Sequence, residues 1–285
     1  MASIHPLAVI HPEAVVGQNV SIGPFCVIEQ DVVIGDGCQL ASHVFVKSGT
    51  TLGKHNVVSE GAVLGGRPQH LGAHEQVGRL IIGDYNQIRE HVTVHLGLTP
   101  KDATTIGSHY LLMVNVHVAH DCHVEDNVIM ANNVMLAGHV TVGKRAYLSG
   151  AVGVHQFCRI GTFAMVGGQS HVSQDVPPYV TVDGKSNLVV GLNKVGLKRA
   201  GFTEADMLQL KEAYRVIFRS GLRWADVQKT MTERFTTGAA AEMSAFLTSG
   251  KRGFVSERRT PPSATIKIMS TEESKPASEE SRKVG

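Results

Sequence analysis

A chain of 285 residues can build one large domain or two ordinary ones, and one Trp, five Tyr and nine Phe against 30 glycines argue against an interior made of large rings. With 27 basic and 25 acidic side chains, no polyelectrolyte character points to nucleic acid. No apolar run approaches the roughly 18 to 20 residues of a transmembrane helix, and Met1-Ala2-Ser3-Ile4-His5-Pro6 lacks a basic-then-apolar leader, so the expectation is a soluble, cytoplasmic protein.

From Ile4 the chain keeps a six-residue step. Ile4, Ile10, Val16, Ile22, Ile28, Ile34, Leu40 and Val46 open a register that runs to Val172, broken only at His70, Gln76 and Pro100. A second column of small residues lies four positions further on, from Ala8, Ala14 and Val20 to Val152, Cys158 and Ala164. Short strands turning about a narrow axis give this pattern, and each unit buries its apolar residue only by stacking on its neighbours. The reading is a parallel β-helix, mainly β, with three hexads to a coil of 18 residues. Glycines after the aliphatic residue (Gly17, Gly23, Gly35, Gly53, Gly83) are expected at the turns. All four cysteines, Cys26, Cys38, Cys122 and Cys158, fall in the small column, which favours buried thiols over disulfides, metal or redox work.

Two interruptions, near residues 67–79 and 97–105, leave the phase intact and read as loops looping out of a rigid prism, where substrate contacts tend to lie. Pro177-Pro178 is expected to end the step, with a helical region after it. Thr203-Glu204-Ala205-Asp206 is a helix start with a capping hydroxyl and an acidic third residue, followed by the stripe Met207, Leu210, Tyr214 and Ile217 and a stop at Ser220-Gly221. Further helices are expected over 224–234 and 238–248. The domain reading is a repeat domain over 1–190, a C-terminal helical domain over 191–257, and a disordered tail over 258–285, rich in Ser, Pro, Glu and Lys.

Eight of the 15 histidines lie between 91 and 155. Residues 18 apart stand on adjacent coils, roughly 4.8 Å from one another, so His120, Gly138 and Gln156 form one ladder, with Asp121 and His139 a step along and His155 beside Gln156. That set is chemically complete for acyl transfer: His120 as general base, Asp121 to fix its tautomer, and a Gly138 amide facing an oxyanion. No Gly-x-Ser-x-Gly elbow argues for a serine acyl-enzyme, and no glycine loop at a strand-to-helix junction argues for a nucleotide cofactor. Lys211, Arg215 and Arg219 share a helix face that would suit an acidic partner.

Several strings are more specific: Ile88-Arg89-Glu90, Val92-Thr93-Val94-His95, Asn115-Val116-His117-Val118-Ala119-His120-Asp121-Cys122, Leu136-Ala137-Gly138-His139, Val154-His155-Gln156-Phe157-Cys158, Asp175-Val176-Pro177-Pro178-Tyr179 and Gly196-Leu197-Lys198-Arg199. Over residues 1 to about 250 the chain resembles the UDP-N-acetylglucosamine acyltransferase family of lipid A biosynthesis, within the hexapeptide-repeat acyltransferases. The resemblance implies a left-handed prism. It also implies transfer of a hydroxyacyl chain from acyl carrier protein to the 3-hydroxyl of UDP-N-acetylglucosamine, with no cofactor or metal, in a homotrimer whose sites lie between subunits. It makes His120 the base, Asp121 its acid neighbour and Gly138 the oxyanion donor. His139, His155 and Gln156 would line the acyl and sugar channel, Gln69, His95, His117, Asn193 and Arg199 would contact the nucleotide sugar, and Gly168 would tune acyl length. The family's Asp-Leu-Lys is His70-Leu71-Gly72 here, an arginine after the matched histidine is Leu96, and a second arginine after Lys198-Arg199 is Ala200. These changes remove positive charge from the nucleotide end, which leaves open a related acyl- or coenzyme A-dependent acetyltransferase acting on a modified sugar. A zinc enzyme resembling β-helical carbonic anhydrases is the alternative outside transferases. That family would call for a His-x4-His pair, and no two histidines here are five apart.

Overall fold

The computed structural model describes residues 2–73 and 75–259. The expected tail lies, from residue 260 on, outside the described residues. Most strands are two residues long and recur every six residues, in three sheets of eleven, nine and eight strands. The step residues stack on one another: Ile22 pairs with Leu40, Ile28 with Val46, and Ile34 with Leu52, each 18 apart and parallel. Together the sheets form the three faces of a left-handed parallel β-helix. Its axis is filled by the two predicted columns, and Val44, Val46, Val116, Val118, Val134 and Leu136 are fully enclosed.

Both interruptions keep the phase because each adds whole hexads. Leu52 pairs with Ile82, 30 residues on, and Ile82 with Ile106, 24 on. Both leave the end of the nine-stranded face and rejoin the eight-stranded one (Val63–Gly66 to Arg79–Ile82, Thr93–His95 to Ala103–Ile106), so both emerge at the same corner.

The turns differ from the sequence expectation. Left-handed backbone falls on the residue before most of the small inward ones, and from Asn19 to Gln169 that residue is most often not glycine: Phe25, His43, Tyr85, Asp121, His139 and Phe157 all have positive φ. The glycines after the step residue answer a different demand, the approach of the next coil. A Cβ on Gly35 would stand 2.6 Å from the Gly53 carbonyl, and one on Gly161 2.3 Å from the Pro178 nitrogen. The small column also turns polar beside the insertions. Buried Asn56 accepts from the Asn86 amide at 3.0 Å, and Asn86 from the Tyr110 amide at 2.9 Å, an internal ladder that satisfies the groups it buries.

The six-residue step ends here as expected, since Val182 stacks on Val166 only 16 residues on, but the coil itself continues past Pro177-Pro178. Val180–Val182 still pairs in parallel with Met165–Val166, and Val189–Leu192 then folds back antiparallel, across the 190/191 boundary drawn from sequence. Among the described residues four helices follow: α1 Lys194–Arg199, α2 Glu204–Arg219, α3 Trp224–Arg234 and α4 Gly238–Ser249. Thr203 and Asp206 form the capping box of α2, whose buried stripe includes Met207, Leu210 and Tyr214. The prism holds α4 through Arg159. Its guanidinium bonds Asp175 at 2.8 Å, Ser249 at 2.9 Å and the Phe246 carbonyl at 2.7 Å, and lies over the Phe246 ring.

Candidate active site

The corner that releases both loops also carries the predicted ladder. A groove of about 480 Å³ runs from this corner onto the outer side of the nine-stranded face, lined among others by Gln69, His117, His120, Gly138, His155 and Gln156. Its floor follows the outward column of that face, where His117, Met135, Gly153 and His171 stack coil on coil. A Cβ on Gly153 would meet nothing within 4 Å, so this glycine leaves the groove open.

Local structure aims His120. Asp121 sits in the left-handed turn (φ 59°), its amide donating to Thr104 Oγ1 at 2.9 Å, and its Oδ1 accepts the Leu98 amide of the second loop at 3.1 Å. Its Oδ2 lies 2.7 Å from His120 Nδ1, with both side chains more than nine-tenths buried. A carboxylate can only accept there, so Nδ1 carries the proton and Nε2 keeps its lone pair. Gly138 stands against that edge of the ring: a Cβ on it would be 2.7 Å from Nε2. The Gly138 N–H donates to none of the described residues. A base with a fixed tautomer therefore adjoins the backbone of Gly138, whose amide is uncommitted among the described residues.

Burial, more than neighbouring charge, lowers the pKa of three of the imidazoles around His120. It pushes His117 down to about 4, with His95 adding to the effect, and also lowers His95, whose Nδ1 bonds the Arg67 carbonyl at 2.7 Å. His139 is lowered by burial too, partly opposed by Asp121. His139 Nε2 lies 3.6 Å from Asp121 Oδ2, and its ring stacks on Phe157 at 4.5 Å. His120, Asp121 and His139 offer donor atoms within 4.8 Å of one another, a set zinc could accept. The 2.7 Å between His120 Nδ1 and Asp121 Oδ2 is a hydrogen-bond length, shorter than the roughly 3.3 Å between two ligands about 2.0 Å from a tetrahedral zinc.

Gln69, His117, His120, Gly138, His155 and Gln156 share the groove, with Asp121, His139 and His95 packed beside it. Three predicted residues do not join them within this chain. Gly168 lies beside Gly150 at a different corner; Asn193 caps α1 and bonds the Phe163 carbonyl at 2.9 Å; Arg199 ends that helix. Sequence reasoning missed Met135, Gly153 and His171, although all three lie 18 apart from His117 onward. It missed the supports Leu98 and Thr104, which carry no chemical signature in sequence. The cysteines are buried free thiols, Cys26 and Cys38 donating to carbonyls of neighbouring coils.

Residues 175–255 match the family described as Udp N-acetylglucosamine O-acyltransferase, domain 2. A protein of Thiobacillus denitrificans named acyl-(acyl carrier protein)–UDP-N-acetylglucosamine O-acyltransferase is 46% identical over 90% of this chain and 100% of its own length. One of the same name from Gloeothece citriformis is 48% identical over 55% of this chain and 57% of its own. The solved UDP-N-acetylglucosamine acyltransferase of Francisella novicida superposes with a TM-score of 0.87 at 36% identity, over 90% of this chain and 95% of that one.

Proposed function

The chain belongs to the UDP-N-acetylglucosamine O-acyltransferase family, and from that premise we propose how its groove carries out the reaction for which its relatives are named. It is an acyl-(acyl carrier protein)–UDP-N-acetylglucosamine O-acyltransferase, acting at the first step of lipid A biosynthesis. His120 Nε2 removes the proton of the sugar 3-hydroxyl, and the oxygen attacks the thioester carbonyl. The Gly138 N–H holds the tetrahedral oxyanion. Collapse breaks the carbon–sulfur bond, and the His120 imidazolium returns its proton to the departing carrier thiol. Asp121 stabilises that imidazolium without itself taking the proton.

One observation carries this reading: the buried 2.7 Å bond from Asp121 to His120 Nδ1, which frees Nε2 beside Gly138. His120→Ala should lower transfer from a hydroxyacyl carrier protein to UDP-N-acetylglucosamine by about a thousandfold; near-normal turnover would remove His120 from this role.

The working unit in this reading is a homotrimer. Among the described residues the groove lining holds no Asp, Glu, Lys or Arg, yet a pyrophosphate calls for cations and donors. Asn193 and Arg199 would reach it from a neighbouring subunit. The outward column of the nine-stranded face supports such packing, with Val9 64% and Phe45 38% exposed. The acyl carrier protein would dock at the C-terminal helices, where Lys194, Lys211 and Arg215 line a basic surface groove; Arg219, in the same stripe, is held by Glu257. Gly168 keeps a proposed part in acyl length, from the far side of such a subunit contact. No helix among the described residues is long and apolar enough to cross a membrane, and a cytoplasmic location fits the four free thiols.

A further inference from the structure

Two supports of Asp121 come from one short stretch of chain. Leu98 donates its amide to Asp121 Oδ1 at 3.1 Å, and the Thr104 hydroxyl accepts the Asp121 amide at 2.9 Å. Between them Thr99-Pro100-Lys101-Asp102 closes a β-turn, the Asp102 amide donating to the Thr99 carbonyl at 2.9 Å, with proline at the second position that such turns favour. The Thr99 hydroxyl donates to Asp102 Oδ2 at 2.6 Å and locks the turn a second time. The root of the first loop grips the same residue. The Arg79 amide donates to the Asp102 carbonyl at 3.1 Å; a Cβ on Gly97 would stand 2.6 Å from that oxygen, and one on Gly78 2.6 Å from the Thr99 carbonyl oxygen. Leu98 and Thr104 therefore reach Asp121 at a separation that this turn sets, while Thr99 and Asp102 themselves lie outside the groove lining.

We propose that Thr99 and Asp102 are positioning residues for the acyl transfer: their hydrogen bond holds the second loop so that the Leu98 amide fixes the Asp121 carboxylate against His120. This rests on the acyltransferase reading and extends it to the second loop. Loss of the lock lets Asp121 turn away from His120 Nδ1, so the imidazolium formed in the reaction loses its partner and His120 becomes a weaker base. The titratable groups facing His120 are Asp121, His139, His70 and, further off, His95, and the test leaves all four in place.

The test uses the full chain with UDP-N-acetylglucosamine and a hydroxyacyl carrier protein. Asp102→Ala and Thr99→Val should each lower kcat about tenfold, with both KM values within about twofold, and the acid limb of the kcat profile should move to lower pH by about half a unit or more. Thr99→Ser should stay close to the parent chain. So should Asp102→Asn, which keeps the acceptor but removes the charge that acts on His139. An unchanged kcat, an unmoved acid limb, a loss confined to KM, or an asparagine variant no better than alanine would overturn the assignment. One readout stands apart from turnover: hydrogen exchange over residues 96–104 should be slow at Leu98 in the parent chain and faster in Asp102→Ala. If the parent chain fails to acylate this sugar, the acyltransferase reading falls. Equal exchange at Leu98 in both proteins defeats the positioning role alone.

Discussion

Thr104 shows how much of the site hangs on residues with no chemistry of their own. Its hydroxyl accepts the amide of Asp121, a non-glycine residue in left-handed backbone. Thr104→Val leaves that buried amide unpaired at a cost of about 1–3 kcal/mol and loosens the carboxylate behind His120. We expect kcat to fall with sugar KM little changed, and Thr104→Ser to restore it. His117 carries a pH signature. Burial holds its folded value at about 4 against an ordinary 6.5, so the unfolded chain binds the proton first as the solution is acidified. The contribution is present above pH 6.5 and is lost as pH falls toward 4, amounting to at most about 3 kcal/mol. Denaturant titrations across that window should show the loss, and His117→Gln should flatten it.

At the scale of elements, the outward column of the nine-stranded face decides what the groove admits. Gly153 faces open space, so Gly153→Leu should fold with an unchanged Tm while blocking the groove and lowering acyl transfer at least about tenfold. A large loss of Tm would mean that the glycine serves the backbone instead. The Arg159 joint is the opposite case, structural and outside the groove lining. Asp175 is 2% exposed, and Arg159→Met strands it beneath α4. Breaking a buried pair in this way costs about 3–5 kcal/mol, and limited proteolysis should cut first near α4. The strands and the capped helix α2 were legible because each is a local pattern: a six-residue aliphatic step, and Thr203 with Asp206. The antiparallel strand Val189–Leu192 was not, since its partner Val180–Val182 was hidden behind two prolines read as a stop.

For the whole molecule, the separation of Arg199 from His120 makes subunit mixing informative. Trimers mixed from His120→Ala and Arg199→Ala chains should recover part of the activity that each alone lacks, because some interfaces then hold one intact set. Light scattering should give three times the 30.6 kDa chain mass; an active monomer would contradict the shared site. The sequence alone determined the coil, because an 18-residue period leaves one way to stack Ile22 on Leu40, and the same period put His120, Gly138 and Gln156 in line. Only the tertiary structure decided that both loops leave at the corner bearing this ladder, that Leu98 and Thr104 brace Asp121, and that His70 closes on the His120 ring. Period fixes position along the axis, but a loop's path depends on which groups it can satisfy when it returns, and those partners lie tens of residues away in the chain.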